Sequence, residues 1–172
     1  MNYFKQTKAL GTSQPRSLSM VQAAMIAALY VVLTFLANAF GLASYAVQIR
    51  FSEALTILPY FTPAAIPGLF IGCLLSNILT GCALPDIVFG SIATLAGAFF
   101  TYYLRSCKWL APVPPIISNA VIIPFVLLYA YDVKPLWFSF ITVTAGEIIS
   151  CGILGMFLLF ALEKYKHILF KN

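Results

Sequence analysis

Charged positions are sparse along this chain and fall in small clusters, with long apolar stretches between them. Runs free of Asp, Glu, Lys and Arg extend over 17–49, 54–85, 87–104, 109–131, 135–146 and 148–162. A helix needs about 20 predominantly apolar residues to cross the hydrocarbon of a bilayer, and several of these runs reach that length. Lipid cannot hydrogen-bond a bare backbone, so the spans must be helical. The pattern predicts a polar leader over 1–18 and one domain over 19–172 containing six helical segments. These are expected at 19–40, 52–61, 63–81, 86–105, 114–131 and 136–163, with an irregular loop over 41–50. Pro59 and Pro63 punctuate the short second segment, and Pro112, Pro114 and Pro115 introduce the fifth, since proline is tolerated in a helix's first turn. In an alternative arrangement the second and third segments form one broken hairpin, leaving five. The fold class is an all-α membrane protein, a compact six-transmembrane-helix bundle without linkers or internal repeats.

The basic residues orient such a bundle. With six crossings both termini share a side, and Lys5, Lys8, Arg16, Arg105, Lys108, Lys164, Lys166 and Lys171 lie on it. Only Arg50 and Lys134 fall on the other. Cytoplasmic loops carry the Lys/Arg excess, which places both termini in the cytoplasm and the chain in the cell membrane. Lys5, Lys8 and Arg16 ahead of Ala37-Asn38-Ala39 imitate a cleaved secretory signal. The apolar stretch from Met20 to Phe40 is longer than a signal's apolar region of roughly 7–15 residues, however, so it reads as a retained first helix.

Composition agrees: 62% of the residues are apolar, 9% are charged and the mean hydropathy is +0.96. Soluble domains carry roughly 25% charged residues. The formal net charge of +5 is a topology signal and a contact for lipid headgroups, and no nucleic-acid partner is expected. Cys73, Cys82, Cys107 and Cys151 are widely spaced, and the one histidine, His167, lies in the charged tail. No metal constellation follows from that spacing, and buried apolar filler is the ordinary role of such cysteines. There is no H-E-x-x-H, G-x-S-x-G or Walker A sequence, so neither an enzyme nor a resident cofactor is expected. A nucleotide-driven pump would need its motor on another chain.

The polar residues inside the apolar runs are the candidates for chemistry. Glu147 lies roughly 15 Å into the sixth segment at 1.5 Å per residue. An ionisable group at that depth must face the bundle interior, to hold a ligand or to join a structural pair. Arg50 and Glu53, three apart where the first outer loop enters the second segment, allow either a local salt bridge or a ligand role at the outer mouth. Asp86, behind Pro85, opens the fourth segment, where the helix dipole also favours an acid. Asn77 and Asn119 are amides that must find partners, in the protein or in a ligand. Glu163 and Asp132 read as solvated.

Aromatics gather toward the outer half: Tyr45, Phe51, Phe89, Tyr129, Tyr131, Trp137, Phe138 and Phe140. Most suit an interfacial belt; a few inward ones, with Phe89, Tyr131 and Trp137 as the candidates, could stack on a flat ring. Small residues recur four apart in Ala23/Ala27, Ala24/Ala28, Gly68/Gly72/Ser76, Ala93/Gly97 and Gly146/Ser150, a spacing that lets helices approach closely. Internal packing accounts for the glycine pairs. The alanine pairs fit an internal neighbour or an external partner equally.

Particular stretches resemble a known family. Val47-Gln48-Ile49-Arg50-Phe51-Ser52-Glu53-Ala54-Leu55-Thr56-Ile57-Leu58-Pro59 is the most specific, followed by Thr62-Pro63-Ala64-Ala65-Ile66-Pro67-Gly68-Leu69-Phe70-Ile71-Gly72-Cys73. With Pro85–Ser91, Pro114–Ala120 and Gly146–Gly152, these resemble the QueT family, associated with uptake of queuosine precursors and grouped with the S-components of energy-coupling factor (ECF) transporters. The likeness runs from about Met20 to Lys164. It implies an outward-facing pocket for a queuine-like deazapurine, built from the first outer loop and the outer halves of the last three helices. It also implies docking of the Ala23/Ala27 and Ala24/Ala28 faces on a membrane scaffold subunit that carries two ATPases. Arg50, Glu53, Asn77, Asp86, Phe89, Asn119, Tyr131, Trp137 and Glu147 are the expected ligand contacts, with Glu147 first.

Overall fold

The computed structural model describes residues 16–41 and 49–166. Tyr45, His167, most of the leader and much of the first outer loop therefore lie outside the described residues. The described chain is helical throughout, with no strand. Helix α1 (Arg16–Ala39) is followed by a 3-10 helix (Phe51–Tyr60), then α2 (Ala65–Leu79), α3 (Leu84–Tyr103), a single 3-10 turn (Lys108–Leu110) and α4 (Val113–Tyr131). The last long helix is continuous but changes winding: α5 (Leu136–Glu147), a π-helical segment (Ile148–Gly155) and α6 (Met156–Glu163).

Four of these stretches are long and apolar enough to cross a membrane: Arg16–Ala39, Leu84–Tyr103, Lys108–Tyr131 and Leu136–Glu163. Helix α2, at 15 residues, is shorter. The expected second span is corrected in kind: it is a 10-residue 3-10 helix whose residues Ser52–Pro59 are all buried. It runs antiparallel to α1, since Thr34 Oγ1 bonds Ser52 Oγ at 3.0 Å near one end and Thr62 Oγ1 bonds Gln22 Oε1 at 3.2 Å near the other. Between Gln22 and Thr34 α1 rises about 18 Å. Ten residues cover about 20 Å at the 2.0 Å rise of a 3-10 helix, against about 15 Å as an α-helix. The tighter winding lets a short segment match its neighbour. The second and third segments form two distinct helices, and the chain is already helical at Arg16, ahead of the expected 19.

Burial is inverted relative to a soluble protein. Met20, Met25, Phe40, Leu84, Tyr103, Tyr129, Ile153 and Phe157 are exposed, while Ser52, Glu53, Thr56, Ser76, Thr94, Asn119 and Ser150 are buried. Apolar exteriors suit lipid, and interior polar groups then need partners from the bundle itself. The apolar part of the core, with Tyr30, Leu55, Ile57, Leu69, Ala111 and Leu159, fills one half of the bundle. At that end Lys108 pairs with Glu163 at 3.3 Å and the Trp109 ring packs edge-on against Phe160. Glu163 is thus partnered rather than simply solvated, whereas Asp132 is exposed and pairs with Lys134 at 2.7 Å.

The glycine pairs pack internally, as expected. A Cβ on Gly68 would sit 2.7 Å from the Ala23 carbonyl oxygen, and one on Gly72 would sit 2.7 Å from the Tyr30 Cβ. Gly97 meets the Pro115 backbone in the same way. At the far end of α2, Gly81 has φ +73°, and the Cys82 N–H returns to the Asn77 carbonyl at 3.0 Å, a left-handed helix stop. We expect Gly72→Ala to cost about 1–3 kcal/mol of stability through overpacking, read as a lower thermal midpoint in detergent. Gly152→Ala, with nothing nearer than 3.8 Å, should leave it nearly unchanged. Equal midpoints for the two variants would refute the close α1–α2 contact.

Candidate binding site

Arg50 is the residue before the 3-10 helix and has extended backbone, φ −105° and ψ 108°. The local salt bridge to Glu53 that the spacing allowed is not formed, although both residues line one small cavity. The contact between the two is instead a backbone bond, Glu53 N–H to the Arg50 carbonyl at 3.1 Å. Among the described residues the Arg50 guanidinium makes no ion pair and no side-chain hydrogen bond. Its backbone N–H donates to Ser150 Oγ at 3.2 Å, tying the loop end to the π-helical segment.

One turn into the 3-10 helix, Glu53 points into the bundle and is 1% exposed. The Tyr30 hydroxyl donates to its carboxylate. Asn119 Nδ2, from α4, donates to Glu147 Oε1 at 2.9 Å and reaches Glu53 Oε2 at 3.5 Å. Cys151 Sγ donates to the other Glu147 oxygen at 3.1 Å. Thr56 Oγ1 donates to the Glu53 carbonyl at 2.6 Å and lies 3.3 Å from Cys151 Sγ. Two carboxylates from different helices thus share one amide deep in the protein, with no basic side chain at ion-pair distance among the described residues. A carboxylate can take more donors than either receives here. A cation or a donor-bearing molecule would be drawn to the pair.

Above the pair is a small cavity of about 10 Å³, lined by Arg50, Glu53, Thr94, Asn119, Val143 and Glu147 among others. That is room for about one water. Arg50 also borders a much wider cleft of about 510 Å³, with Asn38, Asn77, Thr80, Cys82, Asp86 and Tyr131. Small-molecule sites occupy roughly 300–1,000 Å³. The Tyr131 hydroxyl donates to Asp86 Oδ2 at 3.2 Å and accepts the Ala83 N–H at 3.0 Å. Asn77 Nδ2 reaches the Asp86 carbonyl at 3.4 Å. Asp86 therefore opens α3 and also lines the cleft.

The expected contacts divide accordingly. Arg50, Glu53, Asn119 and Glu147 come together at the small cavity, and Arg50, Asn77, Asp86 and Tyr131 at the wide cleft. Phe89 and Trp137 are not brought to either: they are 51% and 64% exposed on the outer surface. For both residues the belt is the reading that fits. Tyr30, Thr56 and Cys151 belong to the polar cluster without having been singled out. The Glu147-x-x-x-Cys151 spacing was a usable signal for the last. Cys151 is not simple filler, and Glu53, Glu147 and Cys151 bring three ligand atoms within 4.8 Å of one another, close enough to hold a metal ion. Spacing along the chain could not show this grouping. Those atoms are already engaged by Tyr30, Asn119 and each other.

A second concavity of about 620 Å³ lies on the outside of α1 and α2, bordered by Ala23, Ala24, Ala27, Ala28, Val31, Pro67 and Ile71. Ala27 is buried and Ala23 half-buried against Gly68 and Gly72, whereas Ala24 and Ala28 are exposed. The first pair therefore has an internal neighbour, and the second pair lies open on the surface.

A helical bundle with an apolar exterior, buried carboxylates and a polar cleft bordered by Arg50 defines an all-helical membrane protein. The chain belongs to the QueT transporter family, which matches residues 20–164. It is 32% identical over 80 residues to a protein of Lactococcus lactis subsp. cremoris (strain MG1363) named queuosine precursor transporter QueT. That stretch is 46% of this chain and 47% of the relative, so the match spans about half of each. No solved structure matches the chain.

Asn119 holds two carboxylates at once, so its replacement should be costly and graded. We expect Asn119→Ala to lower stability by about 1–3 kcal/mol, the cost of leaving buried acceptors short of a donor, read as a lower unfolding midpoint. Asn119→Asp, which adds a third acid, should lower it further. If Asn119→Asp is as stable as the parent at neutral pH, the carboxylate cluster described here does not exist.

Proposed function

We propose that this chain captures a queuosine precursor, a 7-deazaguanine base such as queuine, as the substrate-binding subunit of an ECF-type importer. The observation that carries the reading is the buried Glu53–Asn119–Glu147 group, two acids that share one amide beside a small cavity also lined by Arg50, with no basic side chain at ion-pair distance among the described residues. A deazaguanine edge presents adjacent N–H donors, which a carboxylate accepts as a parallel pair. An amine-bearing substituent suits the second acid, and Glu53 or Asp86 can supply it. Family membership and the relative's name favour a queuosine precursor over other purine-like cargo.

The cleft opens at the end of the bundle that carries Arg50 and Lys134, while Arg16, Arg105, Lys108, Lys164 and Lys166 sit at the other end. Under the positive-inside rule the cleft end faces the exterior and the basic end the cytoplasm. The 3-10 helix then counts as the second of six crossings. Ala24 and Ala28, with the concavity beside them, form the face that docks on a scaffold helix, since small residues allow close backbone approach in lipid. Energy comes from ATPases on other chains.

Equilibrium binding to the purified chain tests the cargo. We expect Glu147→Gln to weaken queuine by about 2–5 kcal/mol while the protein remains folded; undiminished affinity would remove Glu147 from the site. For docking, Ala24→Leu with Ala28→Leu should abolish co-purification with an ATPase-bearing scaffold and leave queuine binding intact. Retained co-purification would place the docking face elsewhere.

A further inference from the structure

We propose that Gly90 is the steric determinant of the cargo site, its missing side chain leaving the room in which the cargo's flat ring lies; the assignment rests on the cargo reading above. Gly90 sits in the second turn of α3 and lines the small cavity with Glu53, Thr94 and Glu147. Other glycines of the bundle have an evident structural cause. A Cβ on Gly68, Gly72 or Gly97 would stand 2.7 Å from an atom of the neighbouring helix, and Gly41 and Gly81 have positive φ. Gly90 has neither reason. It lies mid-helix, where alanine is the better helix former. The three atoms nearest to a Cβ built on it all belong to side chains: Asn77 Nδ2 at 3.2 Å, Asp86 Oδ1 at 3.4 Å and Ile123 Cδ1 at 3.9 Å. Asn77 Nδ2 is held only by long contacts, 3.7 Å to Cys73 Sγ and 3.4 Å to the Asp86 carbonyl. It can give the few tenths of an ångström that a methyl would ask for.

The surroundings say what uses the space. Asp86, Gly90 and Thr94 recur four apart and so share one face of α3. Asp86 borders the wide cleft, while Gly90 and Thr94 border the small cavity. On α4 the same step separates Ile123, at the small cavity, from Leu127, at the wide cleft. The two spaces are therefore neighbours one helical turn apart, and Arg50 lines both. The atoms that would meet a Cβ on Gly90 come from both sets of walls: Asn77 and Asp86 from the cleft, Ile123 from the cavity. Asp86 Oδ2 accepts the Tyr131 hydroxyl, but Asp86 Oδ1 accepts no hydrogen bond among the described residues. An acceptor with spare capacity thus lies beside the bare stretch of α3. The small cavity, at about 10 Å³, holds a water and not a base. A bicyclic ring with its N–H edge on the acids must take up volume between these walls, and Gly90 is the wall position with no side chain in the way.

The test compares the purified full chain with Gly90→Ala and Gly152→Ala by thermal shift, without ligand and with queuine or 7-deazaguanine. Gly90→Ala should keep the ligand-free midpoint within about 2 °C of the parent. It should weaken both compounds by about 10- to 200-fold, the scale on which a fitted pocket discriminates one methylene. Both are affected because they carry the same bicyclic ring. Gly152→Ala, which adds its methyl where no atom lies nearer than 3.8 Å, should leave both affinities unchanged. A ligand-free midpoint well below the parent's in Gly90→Ala makes this a packing glycine and overturns the assignment. Unchanged affinities, a loss confined to queuine, or an equal loss in Gly152→Ala overturn it too, while the cargo reading survives. A parent chain that responds to neither compound overturns the cargo reading, and the assignment with it.

Discussion

Two acids buried in a lipid-facing bundle, both leaning on one amide, set the terms for the rest of this structure. A carboxylate taken out of water must be met by donors, and a bilayer supplies none. The donors here come from separate elements: Tyr30 on α1, Asn119 on α4 and Cys151 on the π-helical segment, converging on Glu53 of the 3-10 helix and Glu147 at the end of α5. The cluster thereby ties together elements far apart in sequence. Buried polar groups of this kind are poor stabilisers, since well-packed apolar residues often do better. Their placement beside a small cavity shared with Arg50 is what the proposed binding role rests on.

The winding of two segments follows from the same demand. Runs of 3-10 helix beyond three or four residues are uncommon, and π-helical turns gather at functional sites. Here a 3-10 helix and a π-helical segment pack against each other, with Gly155 admitting the Ile57 side chain and the Ala54 carbonyl. The tight helix stretches a short buried segment along α1. The wide helix carries Ser150 to the Arg50 N–H and Cys151 to both Glu147 and the Glu53 carbonyl. Regular α-helix in both places would give different side-chain directions from those the cluster uses.

Much of this was legible in the chain. Uncharged runs located the helical segments to within a few residues, because hydrocarbon length is a hard constraint on composition. Rare acids pointed to the interior, and Glu147, Glu53, Asn119 and Arg50 do converge. What the sequence withheld was three-dimensional. Nothing in Phe51-Ser52-Glu53-Ala54-Leu55 distinguishes 3-10 from α winding, since the choice is made by the neighbour it must match. Tyr30 looks like any aromatic in a span until Glu53 is placed opposite it. Phe89 and Trp137 were candidates because aromatics at outer helix ends read alike whichever way they point; only packing turns these two toward lipid. The alanine pairs were ambiguous for the same reason, and the glycines of α2 separate them by claiming Ala23 and Ala27 and leaving Ala24 and Ala28.

Under the proposed function, a deazapurine arriving from outside enters through the wide cleft bordered by Arg50, Asn77 and Asp86. Cys82 lines that cleft, and the exposed Cys107 lies at the opposite end of the bundle. In intact cells, modification of Cys82 by a membrane-impermeant maleimide reports the cleft directly, with Cys107 as the internal reference. Cys82 should react from outside, Cys107 should not, and saturating queuine should slow the Cys82 reaction severalfold. A Cys82 rate indifferent to queuine, or a Cys107 that reacts from the same side, would contradict the account.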